Sequence, residues 1–239
     1  MSGPLKSRSE EGRPRTVISW SSGKDAAFAL HEIRRAGNHE VVGLLTTVTR
    51  VFNRVSMHGV REELLESQAR AVGLPLVKVD IPSPCPNEVY EKAMGEAVTR
   101  LRQDGVEVIV FGDLFLEDVR KYRESRMKDT GIRPEFPLWG RPTDGLARAM
   151  IASGLRATLV CIDPKKLPSR FAGRSFDLAL LEELPPNVDP CGEGGEFHTF
   201  VTAGPMFDHE IRVTPGVVVE RDGFLFADLL PAGPIVGPP

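Results

Sequence analysis

The stretch Val17-Ile18-Ser19-Trp20-Ser21-Ser22-Gly23-Lys24-Asp25 ends an apolar run in a tight loop of small residues carrying one lysine, and helical spacing resumes at Ala26. Such a loop suits phosphate. Small residues let backbone N–H groups approach an anion, a following helix adds its unsatisfied first amides and the positive end of its dipole, and a lysine adds a full charge. Ser21, Ser22, Gly23, Lys24 and Asp25 are therefore the candidate phosphate contacts, with Lys24 expected at a loop tip outside the core. A second run, Asp189-Pro190-Cys191-Gly192-Glu193-Gly194-Gly195-Glu196-Phe197-His198-Thr199-Phe200, crowds carboxylates, an imidazole, a thiol and three glycines together. Glycines allow a backbone path close to a ligand, and Glu193, Glu196 and His198 offer proton-transfer or cation-binding groups. Cys191 is a poor nucleophile here, because the neighbouring Glu193 raises a thiol pKa.

The spacing of a P-loop NTPase does not fit, since its first glycine would fall at Ile18 and its magnesium-binding hydroxyl at Asp25. The first run instead resembles the pyrophosphate loop, Ser-Gly-Gly-Lys-Asp-Ser, of the N-type ATP pyrophosphatases, which cleave ATP between the α and β phosphates. Ser22 stands at the first glycine position, tolerable at negative φ, and Ala26 stands at the last serine position. The second run resembles the Cys-Gly-Glu-Asn-Gly-Glu-Phe/Tyr-His-Thr-Phe signature of the diphthine-ammonia ligase family, with Gly194 in the asparagine position. Val110-Phe111-Gly112-Asp113, Leu138-Trp139 and Gly204-Pro205-Met206-Phe207 extend the likeness over most of residues 16 to 208.

That resemblance implies an ATP-dependent amide-forming ligase that adenylates a diphthine-like carboxylate, releases pyrophosphate and then transfers ammonia. It implies ATP and Mg2+ as cofactors, ammonium as a substrate, and an acceptor carried on a protein such as an elongation factor. Lys24 and the loop amides would stabilise charge on the departing pyrophosphate. Thr46 and Thr47, ending the second strand, match the place where the family holds adenine, and Gly112 with Asp113 ends a buried strand beside it. Asp25 and Asp113 are the candidate Mg2+ ligands. Glu196 and His198 are the candidates for holding ammonium and removing its proton, and Glu193 for orienting substrate or loop. Two other readings stay open at this point: an RNA-modifying N-type ATP pyrophosphatase, and a nucleotide-binding sensor without chemistry. The first usually brings a cysteine pair or a basic appended domain, and the crowded second run argues against the second.

Composition bounds these readings. The 239 residues suffice for one large or two modest domains, and 41% hydrophobic with 26% charged residues is ordinary for a globular protein. A formal net charge of -3 sets up no global field for nucleic acid or an anionic membrane, so any anion site is local. No apolar run has the length of a membrane span, and residues 1 to 15 are polar, which together predict a cytoplasmic protein. Cys85, Cys161 and Cys191 are too few and too scattered for a disulfide framework or a zinc ribbon, and Cys161 reads as a buried strand residue. A homo-oligomer is compatible with all of this.

Strands over 17–20, 41–47, 76–80 and 106–111 alternate with helices over 25–35, 60–72, 88–102 and 114–127, Gly37 and Gly73 serving as stops. The alternation predicts an α/β, doubly wound, mainly parallel sheet of Rossmann-like nucleotide alpha hydrolase type, with ligands beyond the strands' carboxyl ends. Pro134, Pro137 and Pro142 mark the crossing into a second, smaller α+β domain. That unit should hold a helix from Thr143 to Ser153, a strand over 156–162, a helix over 177–184 and a hairpin turning at Arg221-Asp222-Gly223. The expected division is a disordered leader over 1–14, an ATP-binding domain over 15–133, a substrate-binding and catalytic domain over 134–230, and a disordered tail over 231–239. The charges from Arg120 to Lys128 read as a solvated helix face, or as cations that screen triphosphate through Arg120, Arg123 or Arg126. His31, His39 and His209 read as bland, and His58 as a residue near the crevice.

Overall fold

A computed structural model describes residues 12–51, 54–55 and 59–232. Most of the expected leader and tail, and His58, lie outside the described residues. The first unit runs β1 (Arg15–Ser19), α1 (Lys24–Ala36), β2 (Glu40–Thr49), β3 (Arg54–Val55), α2 (Glu62–Val72), β4 (Leu76–Ile81), α3 (Asn87–Gln103), β5 (Val108–Val110), α4 (Glu117–Met127) and β6 (Arg133–Glu135). Strand β1 pairs in parallel with β2 and β5, β2 with β4, and β5 with β6. The chain leaves β1 toward β2 and later returns to β5 on the other side, so strand order reverses between β1 and β5. A crevice at their carboxyl ends follows from that reversal, and it is the doubly wound α/β arrangement the alternation predicts.

Alternation along each strand divides the core. Ile18 and Val110 pack with α1 and α2, whereas Val17, Ile109 and Phe111 pack with α3 and Met127 of α4. Strand β2 outruns β1, whose last pair is Ser19 with Leu45; beyond it Val48 and Thr49 pair antiparallel with β3. Neither β3 nor β6 is legible in the sequence. The first is two residues long, and the second reads Arg-Pro-Glu, a proline that only the edge of a sheet accepts. Strand β6 also straddles the expected junction at 133 and 134.

The second unit holds α5 (Thr143–Ala152), β7 (Arg156–Ile162), α6 (Leu178–Glu183), β8 (Phe197–Ala203), β9 (Val213–Arg221) and β10 (Phe224–Pro231). Its strands form an antiparallel sheet in the order β8-β7-β10-β9. The second motif thus runs into strand β8, which no strand pattern in the sequence announced. Leu159, Phe200, Val201 and Met206 join the same core as Leu30, Leu64 and Leu65, so α1 and α2 are covered on both sides. Charge adds to the join: Asp228 on β10 accepts from Arg54 at 2.9 Å and Arg61 at 2.6 Å.

One glycine shows how tightly the two strand-end loops meet. A Cβ on Gly112 would lie 2.7 Å from the Asp25 carbonyl carbon and 2.8 Å from the Ala26 nitrogen, both main-chain atoms that cannot step aside. Gly112→Ala is therefore expected to destabilise the protein by about 1–3 kcal/mol. Urea unfolding should show a lower midpoint with an unchanged slope.

Candidate functional site

The loop after β1 is bound from inside. Trp20 donates its N–H to the Leu45 carbonyl at 2.7 Å, carrying the β1 register one residue further. Ser22 does not keep the negative φ its side chain would favour: it sits at +71°, left-handed, at a strain on the order of 1–3 kcal/mol. Its carbonyl explains why, accepting from Gln68 Nε2 at 3.0 Å and from the Val201 N–H at 3.1 Å. The Ser22 hydroxyl is fully buried and has no partner among the described residues. Ser21 Oγ lies 3.4 Å from the Gly23 nitrogen, a long contact.

Lys24 is not at an exposed tip. It is 2% exposed, and its ammonium lies 5.6 Å and 5.5 Å from the ring centres of Phe176 and Phe197. The nitrogen donates to both oxygens of Asp25 at 2.9 Å and to the Cys191 carbonyl, while the Lys24 N–H donates to Thr199 Oγ1 at 3.0 Å. Burial works against the charge, but Asp25, Cys191 and Glu193 outweigh it and hold the lysine pKa above its ordinary value. Residues 24 and 25 thereby meet the second motif, 167 positions later in the chain.

Within that motif, Glu193 Oε1 accepts the Leu114 N–H at 2.7 Å, and the Glu193 N–H donates to Asp189 at 2.9 Å. Burial pushes the Glu193 carboxyl up to about 7, opposed by that amide and reinforced by Asp25. Glu196 accepts the Asp189 N–H through Oε1 at 3.2 Å, and its Oε2 is buried without a partner among the described residues. Gly194 makes this fit: a Cβ there would lie 2.7 Å from Glu196 Oε1, so any side chain at the position displaces the carboxylate. The Cys191 thiol, pushed up to about 12 chiefly by burial, donates to the Thr143 carbonyl at 3.4 Å.

His198 projects elsewhere. Strand alternation puts Phe197 and Thr199 toward Lys24 and His198 on the other face, where it helps line a cavity of about 280 Å³ with Thr49, Arg54, Arg221, Phe224 and Phe226. Burial, then the charge of Lys24, lowers its pKa to about 4, so the ring is neutral at pH 7. Alternation also separates Thr46 from Thr47; Thr46 is 4% exposed, its hydroxyl unpartnered among the described residues, and Thr47 turns to the opposite face.

The two carboxylates expected to ligate magnesium each hold a cation already. Asp25 binds Lys24, and Asp113 takes Arg123 in a two-pronged pair, Oδ1 to Nη2 being 3.0 Å. No three His, Cys, Asp or Glu side chains gather as metal ligands among the described residues. Arg120 stacks 5.0 Å and 4.7 Å from the centres of Phe136 and Trp139, and Arg126 pairs with Glu91 at 2.7 Å, so this face is not merely solvated. His39 is buried, with ring nitrogens on Thr16 Oγ1 at 2.8 Å and Glu135 at 3.3 Å, rather than loose in a polar loop. Sequence reasoning passed over Gln68, although a glutamine in the apolar row Leu64, Leu65, Gln68, Ala69, Val72 is the signal of a buried polar role. No helix among the described residues is long and apolar enough to cross a membrane.

Comparison with known proteins covers both units. A family model described as the diphthamide synthase N-terminal domain matches residues 14–134, and one described as the diphthamide synthase C-terminal domain matches residues 143–225. The chain is 30% identical over 243 residues to a diphthine–ammonia ligase of Danio rerio, spanning 88% of this chain and 91% of the relative. It is 29% identical over 231 residues to a diphthine–ammonia ligase of Homo sapiens, spanning 87% and 85%.

The Glu193 environment has a measurable consequence. A carboxyl whose folded pKa, about 7, exceeds the 4.5 of the free group binds its proton more tightly in the folded state. Its contribution to stability is complete below pH 4.5 and is lost as pH rises through about 7. Parent stability relative to Glu193→Gln should therefore fall across that window, in urea titrations at a series of pH values. His198 contributes the opposite slope below pH 6.5 and cancels in the difference.

Proposed function

The chain belongs to the diphthamide synthase family, whose curated members matched above are enzymes, and on that premise we propose that it is an ATP-dependent ligase converting a diphthine-like carboxylate to its amide. The observation that supports this most directly is the closure of both motifs on one lysine. Lys24 follows the loop of the first, and in the second the Cys191 carbonyl accepts from its ammonium and the Thr199 hydroxyl from its backbone N–H.

A carboxylate is a poor electrophile at neutral pH, and a mixed anhydride with AMP is a good one. A carboxylate oxygen attacks the α phosphorus of ATP, the bond from that phosphorus to its bridging oxygen breaks, and pyrophosphate leaves with the electron pair. The lone pair of ammonia then attacks the acyl carbon, the carbon–oxygen bond to AMP breaks, and the nitrogen loses a proton. Glu193 suits that proton, because a base works best with a pKa near the working pH. His198, binding a proton only near pH 4, is a weak base at pH 7 and borders the neighbouring cavity instead. The Glu196 carboxylate, with Oε2 unpartnered among the described residues, would hold ammonium and take one proton from it, freeing the lone pair that attacks. Backbone amides of the β1 loop and the Lys24 charge would face the departing phosphates once Lys24 exchanges Asp25 for them. Magnesium would travel with ATP and soften the charge of its phosphates; the acceptor is proposed to be a protein-borne carboxylate.

Turnover with ATP, ammonium and diphthine-bearing elongation factor should release AMP and pyrophosphate in equal amounts. ADP and phosphate as the main products would end the adenylation mechanism. Lys24→Ala should slow turnover by roughly tenfold to a hundredfold through loss of a charge-assisted contact. Because Lys24 is buried against Asp25, the same change should also lower the urea midpoint, and adding Asp25→Asn should restore part of that loss.

A further inference from the structure

Gln68 takes no part in the steps just described, yet it is fully buried, on the apolar face of α2. Its amide has one satisfiable orientation. Oε1 accepts from Trp20 Nε1 at 2.9 Å, so Nε2 must face outward to the carbonyls of Ser22 at 3.0 Å and Val201 at 2.8 Å, which only a donor can meet. The Val201 N–H adds a second donor to the same Ser22 carbonyl at 3.1 Å. The bond between Ser22 and Gly23 is a trans peptide, in which C=O and N–H point in opposite directions. Holding the carbonyl inward therefore turns the Gly23 N–H the other way, where only the long 3.4 Å contact with Ser21 Oγ meets it. Ser22 itself carries a left-handed φ of +71°, strained for a side chain, which the two bonds to its carbonyl help to hold.

We infer that Gln68 is a positioning residue, which holds the Ser22 carbonyl toward α2 so that the amide of the buried Gly23 points away from it, as a donor for the β and γ phosphates of the nucleotide. The inference rests on the nucleotide reading of the β1 loop. It also assigns a purpose to the contact between Gln68 and Val201: the second sheet sets the aim of a phosphate donor in the first unit.

Two measurements on the full chain test it. In Gln68→Met, which keeps length and helix propensity but removes both donors, affinities for ATP and for inorganic pyrophosphate should each fall roughly tenfold, as for one hydrogen bond to a charged group. Affinity for AMP, which lacks those phosphates, should hold. A residue that only packs would lower the unfolding midpoint and leave the ratio of ATP to AMP affinity at its parent value, and that result overturns the proposal. The second measurement needs no variant to fold: in the parent, the Gly23 amide resonance should shift when inorganic pyrophosphate is titrated in, and a Gly23 resonance that stays put while pyrophosphate binds overturns it. A parent that binds neither ATP nor pyrophosphate removes the nucleotide reading and this inference together, whereas binding with a silent Gly23 and a parent-like Gln68→Met removes this inference alone.

Discussion

An ammonium taken out of water must be met by counter-charge and dipoles, and Lys24 finds its partners in both halves of the chain. Asp25 comes from its own helix, and the Cys191 carbonyl and two aromatic faces come from segments more than a hundred residues away. Left unmatched, the charge would not stay buried. The second motif therefore has to fold back over the first, and the shared core of α1, α2 and β8 is the packing consequence. The site is a seam made by folding, not a cleft left between two finished domains.

Charge balance in that seam is tilted toward acid. Asp25, Asp113, Asp189 and Glu193 crowd the strand ends, and the nearest cations, Lys24 and Arg123, are engaged by two of them. On the proposed reading, an arriving polyphosphate would compete with carboxylates for those cations, while neutral backbone amides need not be released from any charge. The first demand of binding would then fall on loop geometry, and the same carboxylates add to the burial that chiefly keeps the Glu193 proton on to about pH 7.

The fold class and the presence of the two motifs could be read from the residues because each rests on local rules: a period of two or 3.6, glycine stops, and crowded functional groups. What could not be read depends on the partner across the seam. Lys24 looked like a loop-tip cation because nothing local buries it; Phe176 and Phe197 do. Ser22 was expected at negative φ because serine prefers it, and a carbonyl bound from two sides overrules that preference. Asp113 resembled a metal ligand until Arg123, a full helical segment later, occupied it. His198 and Glu196 sit two apart in sequence and were assigned one task, yet the ring lines a cavity across the strand while the carboxylate stays in the turn.

Helix α4 stands between the ends of β5 and β6 with Met127 as its one buried residue. It is attached instead by guanidinium groups: Arg120 against Phe136 and Trp139, Arg123 against Phe111 and Asp113, and Arg126 against Glu91. Apolar burial gives unfolding its large heat-capacity increment, and contacts of this polar kind add little to it. The attachment of α4 is thus tuned by ionic strength more than by temperature. Chilling or warming acts on α1 and α2 through the core, whereas salt acts first on the helix beside the carboxyl ends of β5 and β6, so two physical variables address two different layers of one molecule.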